Sequence, residues 1–240
     1  MKIIKAAAHW LFIICIPVLL ITTSVRIAVN SSELYSYGFT KYNISEVTGI
    51  APAELDKVIS GLISYFNSSE TYINLTVIKD GQPFTLFNER EVAHLKDVKG
   101  LFRLVYWLLI GTLIYAVAYG ALSYIVWKDK RRFAWGLVGG SILTIGLVII
   151  LVVMISTNFD QFFWDFHLIS FSNDFWLLNP ATDYLIMLFP SGFWMDAAIF
   201  VTAVTAILAL FLGGTGWWRL KKEKPAVKPA NALPLQPTAA

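Results

Sequence analysis

Two of the three histidines in this 240-residue chain stand in polar clusters that border long apolar runs, and imidazole is the side chain best suited to proton transfer near neutrality. The first cluster is the stretch 86–100, where His94 lies among Glu89, Arg90, Glu91, Lys96, Asp97 and Lys99. At about 100° per residue of helix, Arg90, His94, Asp97 and Leu101 fall within an arc of about 60°, so a cation and a carboxylate flank the imidazole on one half-apolar face. The second is the stretch 162–190, in which His167 is accompanied by Asp165, Asn173, Asp174 and Asp183 within an almost unbroken series of aromatics. Such groups are costly at membrane depth unless they pair or face a cavity. General acid–base work is therefore the first chemistry to consider. The plain alternative is a juxtamembrane helix in the headgroups beside an aromatic belt. A serine–histidine–aspartate set has Ser170 or Ser172 to draw on, but neither sits in a nucleophile elbow. Two histidines and an aspartate can also ligate a metal, yet no motif such as H-E-x-x-H is present, so neither metal nor cofactor is expected.

The elements that must hold these residues are membrane helices. The chain is 57% hydrophobic and 15% charged, where a soluble domain carries roughly a quarter charged residues. Four stretches, at about 7–29, 101–127, 133–156 and 194–218, reach the roughly 20 apolar residues that a spanning helix needs. Lys2 and Lys5, the run Lys128–Arg132 and the tail from Arg219 to Lys228 supply the basic flanks, while 157–193 has neither Lys nor Arg. The bias of basic residues toward the cytoplasm then puts both termini inside, and 30–100 and 157–193 outside. The expected organisation is a first span within 1–29, an extracytoplasmic cap and juxtamembrane helix over 30–100, three spans with the aromatic outer loop over 101–218, and a disordered cytoplasmic tail over 219–240. The net charge of +3 belongs to these flanks and speaks for topology rather than nucleic-acid binding. The single cysteine, Cys15, lies inside the first span and excludes an intrachain disulfide. Arg26 closes that span, able to snorkel outward.

Within 30–100, a polar run comes first, and then Leu55, Val58, Ile59, Leu62, Tyr65 and Phe66 recur at helical spacing after Pro52. Ile73, Leu75 and Val77 followed by Asp80-Gly81 and by Phe84 and Leu86 predict a hairpin. Asn88 with Glu91 three residues on predicts a capped helix start, with Gly100 as its first interruption. Glycines in the second and third spans, among them Gly111, Gly136, Gly140 and Gly146, allow helices to approach closely. The fold class is thus an all-α membrane bundle of four transmembrane helices with a small α+β extracytoplasmic cap between helices 1 and 2. His94 and His167 are expected to meet in one outward, lipid-accessible cavity.

The segments 87–99, Phe166-His167, 173–176 and 180–186 resemble the bacterial four-span family containing the lipoprotein intramolecular transacylase, over roughly residues 5 to 218. The chain departs from the family pattern at Ser191, where an acidic residue often follows the proline. The resemblance implies transfer of the sn-2 acyl chain of a diacylglyceryl-cysteine lipoprotein onto the cysteine's own α-amine, in the bacterial cytoplasmic membrane. It implies His94 and His167 as the catalytic pair; with amine and ester tethered in one substrate, the amine can serve as nucleophile without one from the protein, and Arg90, Asp97, Asn173 and Asp183 are the residues at hand for supporting or substrate-binding roles. Arg90 or a nearby backbone donor is a candidate for the oxyanion, and Asp97 or Asp183 for orienting an imidazole. The partners it implies are diacylated lipoprotein and membrane lipid. A non-catalytic membrane protein that binds lipid or an envelope partner through the aromatic loop is the reading from another class.

Overall fold

The computed structural model describes residues 2–222. Four of its helices are long and apolar enough to cross a membrane: α1 (Lys2–Val29), α5 (Glu89–Ala121), which a π-helical turn extends over Leu122–Val126, α6 (Lys130–Thr157) and α9 (Ser191–Lys222). Helix α6 packs most extensively on α9, and α1 touches α5, α6 and α9. Close approach is local. A Cβ at Gly136 or Gly140 would stand 2.6 Å from Phe12 or Ile16 of α1, whereas Gly111 and Gly146 have nothing within 4 Å, so only the first two serve the contact that small residues make possible. Deeper in the bundle, the Thr205 hydroxyl donates to Ser24 Oγ at 2.9 Å, tying α9 to α1. Arg26 lies with its guanidinium 3.9 Å from the centre of the Tyr106 ring, a cation–π contact between α1 and α5. Helix α9 continues to Lys222, past the expected tail boundary at 219; the rest of that tail lies outside the described residues.

Two stretches are more helical than their sequence suggested. The polar run after α1 forms α2 (Ser32–Lys41) and α3 (Ile44–Thr48), where Ser31 caps α2 by accepting from the Leu34 amide at 3.2 Å. Tyr35, Phe39 and Ile44 turn inward from them. They are followed by α4 (Pro52–Asn67) and the antiparallel pair β1 (Thr76–Lys79) and β2 (Gln82–Thr85), in the register Thr76↔Thr85 and Lys79↔Gln82. Asp80 and Gly81 both take positive φ, 52° and 75°, as the tightest hairpin turn requires. The aromatic stretch 157–193 likewise contains α7 (Phe159–Ser170), capped by Asn158, and α8 (Tyr184–Leu188).

The layer from α2 to β2 shares one apolar core with α8 and the start of α9, through Leu188, Phe189 and Phe193. A Cβ at Gly38 would strike Phe193, so α2 sits against α9 only because that residue is glycine. Lys79 bridges the same elements from the edge, donating to the Thr48 carbonyl at 2.9 Å and to the Tyr184 hydroxyl.

The charged stretch from Glu89 and the apolar run that follows it form one helix. Asn88 accepts from the Glu91 amide at 3.0 Å while the Glu91 carboxylate accepts from the Asn88 amide at 2.7 Å, and α5 runs on through Gly100 without a break. A helical glycine costs about 1 kcal/mol relative to alanine, which a helix of 33 residues absorbs. His94 is consequently held on the same rigid rod as the apolar span.

A buried histidine pair enclosed by aromatic rings

Helices α5 and α7 bring His94 and His167 together, with ring centroids 6.0 Å apart and planes inclined by 32°. Both side chains are buried, at 7% and 8% exposure. The walls are aromatic: Phe171 lies 4.9 Å from the His94 ring, and Phe163 and Trp176 lie 4.4 Å and 4.9 Å from that of His167. His167 Nδ1 is 2.7 Å from the Phe163 carbonyl oxygen. A carbonyl only accepts, so Nδ1 carries the proton and Nε2 of the neutral ring is left with its lone pair. Burial pushes the His167 pKa below the ordinary imidazole value, and the bond to Phe163 pulls part of the way back. His94 Nδ1 is buried with no hydrogen-bond partner. Such an atom costs free energy unless it is satisfied, and it is the kind of group that a substrate donor or acceptor relieves.

Four further contacts fasten the stretch 171–185 to the N-terminal end of α5. Asn173 Nδ2 donates to Asp97 Oδ2 at 2.8 Å, Arg90 Nη2 donates to the Asp174 carbonyl at 2.6 Å, Asn88 Nδ2 donates to Asp183 Oδ1 at 3.1 Å, and the Leu185 amide donates to Glu91 Oε1 at 2.6 Å. Asp183 is also bound within its own turn, by the Asn179 amide at 2.7 Å and the Thr182 hydroxyl at 3.1 Å. Arg90, Asp97, Asn173 and Asp183 therefore take part in fastening this stretch to α5, but among the described residues none bonds a ring nitrogen. The atom that orients His167 is a backbone carbonyl, which the helical form of α7 places one turn away, and neither aspartate has that task. Ser170 and Ser172 likewise make no hydrogen bond to either imidazole among the described residues.

Sequence reasoning missed Glu91. It is 1% exposed and saturates both carboxylate oxygens with backbone amides from two elements, Asn88 and Leu185. Its place three residues before His94, on the same side of the helix, was the available signal, overshadowed by its local role in the cap.

A groove of about 420 Å³ runs between α5 and the 170–173 turn, lined among others by Asp97, Asn173, Phe171, Lys96 and Arg103, and it includes neither imidazole. Phe171 is common to the groove and the enclosure. The two imidazoles meet, and aromatic rings, among them Phe163 of α7 itself, enclose them for the most part, with a polar groove beside them.

Residues 10–194 match the family model described as lipoprotein intramolecular transacylase Lit. The fold is similar to the in meso structure of the membrane integral lipoprotein intramolecular transacylase Lit from Bacillus cereus, with 23% identity, a TM-score of 0.79, and coverage of 93% of this chain and 99% of that one. A structure of the Bacillus cereus protein with a histidine-to-alanine mutation gives a TM-score of 0.74 at 23% identity, over 92% of this chain and 96% of that one. An uncharacterized protein of Aquifex aeolicus (strain VF5) is 27% identical over 133 residues, which are 54% of this chain and 57% of that relative. The chain thus spans a little over half the length of the curated relative it matches.

Proposed function

The chain belongs to the lipoprotein intramolecular transacylase (Lit) family, and from that premise we propose that it moves the sn-2 acyl chain of a diacylglyceryl-cysteine lipoprotein onto the cysteine α-amine, giving a lyso-form lipoprotein. The observation that carries this reading is the buried pair itself: two imidazoles 6.0 Å apart, one with its tautomer set by Phe163 and the other with an unpartnered buried nitrogen.

The reaction needs no protein nucleophile. Amine and ester belong to one substrate molecule, so holding them in register replaces a bimolecular encounter. The α-amine nitrogen attacks the sn-2 ester carbon, the bond from that carbon to the glycerol oxygen breaks, a proton leaves the nitrogen and a proton reaches the glycerol oxygen. An α-ammonium of pKa about 8 has to be deprotonated first. His94 and His167 carry these protons as an acid/base pair. His167 with Nδ1–H fixed offers Nε2 as the acceptor, and His94 faces it on α5. Arg90, Asp97, Asn173 and Asn88 with Asp183 hold the 171–185 stretch against α5, and the aromatic walls keep water from the ester.

The setting is the bacterial cytoplasmic membrane. The basic residues Lys2, Lys5, Lys128–Arg132, Arg219, Lys221 and Lys222 belong to one end of the bundle, where His9 Nδ1 meets the Tyr119 hydroxyl at 3.0 Å and Phe12 stacks on Tyr119 and Phe133. That end faces the cytoplasm by the positive-inside bias; the histidine pair, the α2–β2 cap and α7 are at the other.

Mass spectrometry of lipopeptides from a bacterium that makes diacylated lipoproteins tests the activity. Expression of this chain should leave the parent mass unchanged, since the transfer is an isomerisation, and give an N-acyl fragment with a monoacylglyceryl thioether. His94→Ala and His167→Ala should each cut the yield by about 10²–10⁴-fold. A correctly inserted chain that leaves every lipopeptide diacylated, or histidine variants with full activity, would sink the proposal; the second outcome would favour a lipid-binding role for the aromatic stretch.

A further inference from the structure

The groove beside the histidine box is polar, and nothing in the reaction as described above occupies it. It begins at Asp97 and Phe171, next to His94, and reaches Glu70 and Thr71 of the α4–β1 connection. Its volume of about 420 Å³ falls within the range of specific ligand sites. Asp97 has one carboxylate oxygen on Asn173; the other has no protein partner among the described residues, and it lies one helical turn from His94. Further along the groove Lys96 and Arg103 are exposed and only loosely held, by the Tyr72 hydroxyl and the Ser68 carbonyl, each at 3.4 Å.

We propose that this groove is the subsite for the peptide that follows the lipidated cysteine, with Asp97 receiving the α-ammonium at its inner end and Lys96 and Arg103 favouring acidic side chains further out. The inference rests on the transacylase reading. Its substrate has two acyl chains that belong in lipid and a peptide that belongs in water, and the cysteine that bears the reacting amine joins them. A polar groove opening beside His94 lets the peptide leave the box while its first nitrogen stays at the imidazoles. The ammonium on Asp97 is one turn of helix from His94, one member of the pair that carries its proton away. Once acylated, that nitrogen is a neutral amide and loses its attraction to the carboxylate, which assists product departure.

Purified, full-length protein in phosphatidylcholine nanodiscs, with and without added phosphatidylglycerol, and synthetic diacylglyceryl-cysteine peptides of one length test this. The peptides carry either two aspartates or two lysines after the cysteine. Wild type should favour the acidic peptide by roughly two- to fivefold in kcat/KM, the scale of exposed charge pairs, and Lys96→Glu with Arg103→Glu should reverse the order. Asp97→Asn keeps an oxygen for Asn173 and loses only the charge. It should raise KM about tenfold or more for free-amine substrates, while the affinity of an N-acetylated diacyl lipopeptide as inhibitor stays unchanged. An active enzyme indifferent to peptide charge overturns the subsite, as does a charge effect that follows phosphatidylglycerol content instead of the peptide, which would make the groove a lipid-headgroup site. Equal loss of affinity for the free and acetylated peptides overturns the role of Asp97. Wild-type protein that N-acylates no peptide at all sinks the transacylase reading, an outcome distinct from the others.

Discussion

Replacing Glu91 by alanine should loosen the whole clamp over the histidines. The carboxylate is 1% exposed and accepts from the Leu185 amide at 2.6 Å and the Asn88 amide at 2.7 Å. Deleting it strands two backbone N–H groups, at about 1–3 kcal/mol each, or about 2–6 kcal/mol together. The loss is concentrated where α8 meets the start of α5, so it should appear as local opening before it appears as global unfolding. At about 1.4 kcal/mol per factor of ten, the Leu185 amide should exchange its hydrogen roughly 30-fold faster or more. Hydrogen-exchange mass spectrometry in detergent measures this directly. Glu91→Gln keeps one accepting oxygen and should show about half the effect in free energy. Transfer activity should fall in step with Leu185 protection, since the clamp seats Phe171 and Trp176 against the imidazoles. Unchanged Leu185 protection in Glu91→Ala would refute the clamp; full protection with lost activity would move Glu91 into the chemistry.

Because burial depresses the His167 pKa, its base form should persist below the ordinary imidazole value of about 6.5; the acid limb of the rate profile should fall below that pH, and a limb centred above pH 7 would contradict the assignment. Gly140→Leu forces a side chain onto Ile16, 2.6 Å from the position of its Cβ, and should destabilise by about 1–3 kcal/mol in detergent unfolding, whereas Gly146→Leu, with nothing within 4 Å, should leave the midpoint nearly unchanged. Phe171→Ala opens the box toward the groove and should divert acyl transfer to hydrolysis, read as free fatty acid released per lyso-lipopeptide formed.

What the sequence discloses here follows from how local each signal is. Apolar length makes the four long helices visible, and the Asp80-Gly81 turn and the spacing from Leu55 to Phe66 make the hairpin and α4 visible, because each depends on near neighbours in the chain. Helices α2, α3 and α7 were hidden by composition. The first two mix polar residues with few inward anchors, and α7 carries aromatics around its circumference, so its period does not stand out. The continuity of α5 was hidden by Gly100, whose cost is small against a 33-residue helix. In the site, residue type singled out His94 and His167, and the face calculation put Asp97 and Arg90 near the first. The partners of those groups are separated by 70 residues or more: Asn173 from Asp97 by 76 and Asp174 from Arg90 by 84. Spacing along one helix carries no record of such contacts, which is why Asp97 looked like an orienting group for an imidazole and is instead bound to the loop that closes over it.

The closure suits the proposed chemistry better than an open cleft would. Two imidazoles 6.0 Å apart in apolar surroundings resist being charged together, since burial and a like charge both oppose the second proton. The pair is therefore suited to pass one proton at a time: the amine gives one up, and the glycerol oxygen takes one. A carboxylate bonded to either ring would stabilise the imidazolium and slow the return of its proton. The Phe163 carbonyl fixes the His167 tautomer without adding a full negative charge. Asp183 accepts from Asn88, the Asn179 amide and Thr182, and Asp97 accepts from Asn173, so among the described residues neither carboxylate bonds a ring nitrogen. With the nucleophile and the ester supplied by one substrate, the proposed reaction asks the protein to exclude water, set a register and relay a proton, and two buried histidines with the rings of Phe163, Phe171 and Trp176 against them suit those three tasks.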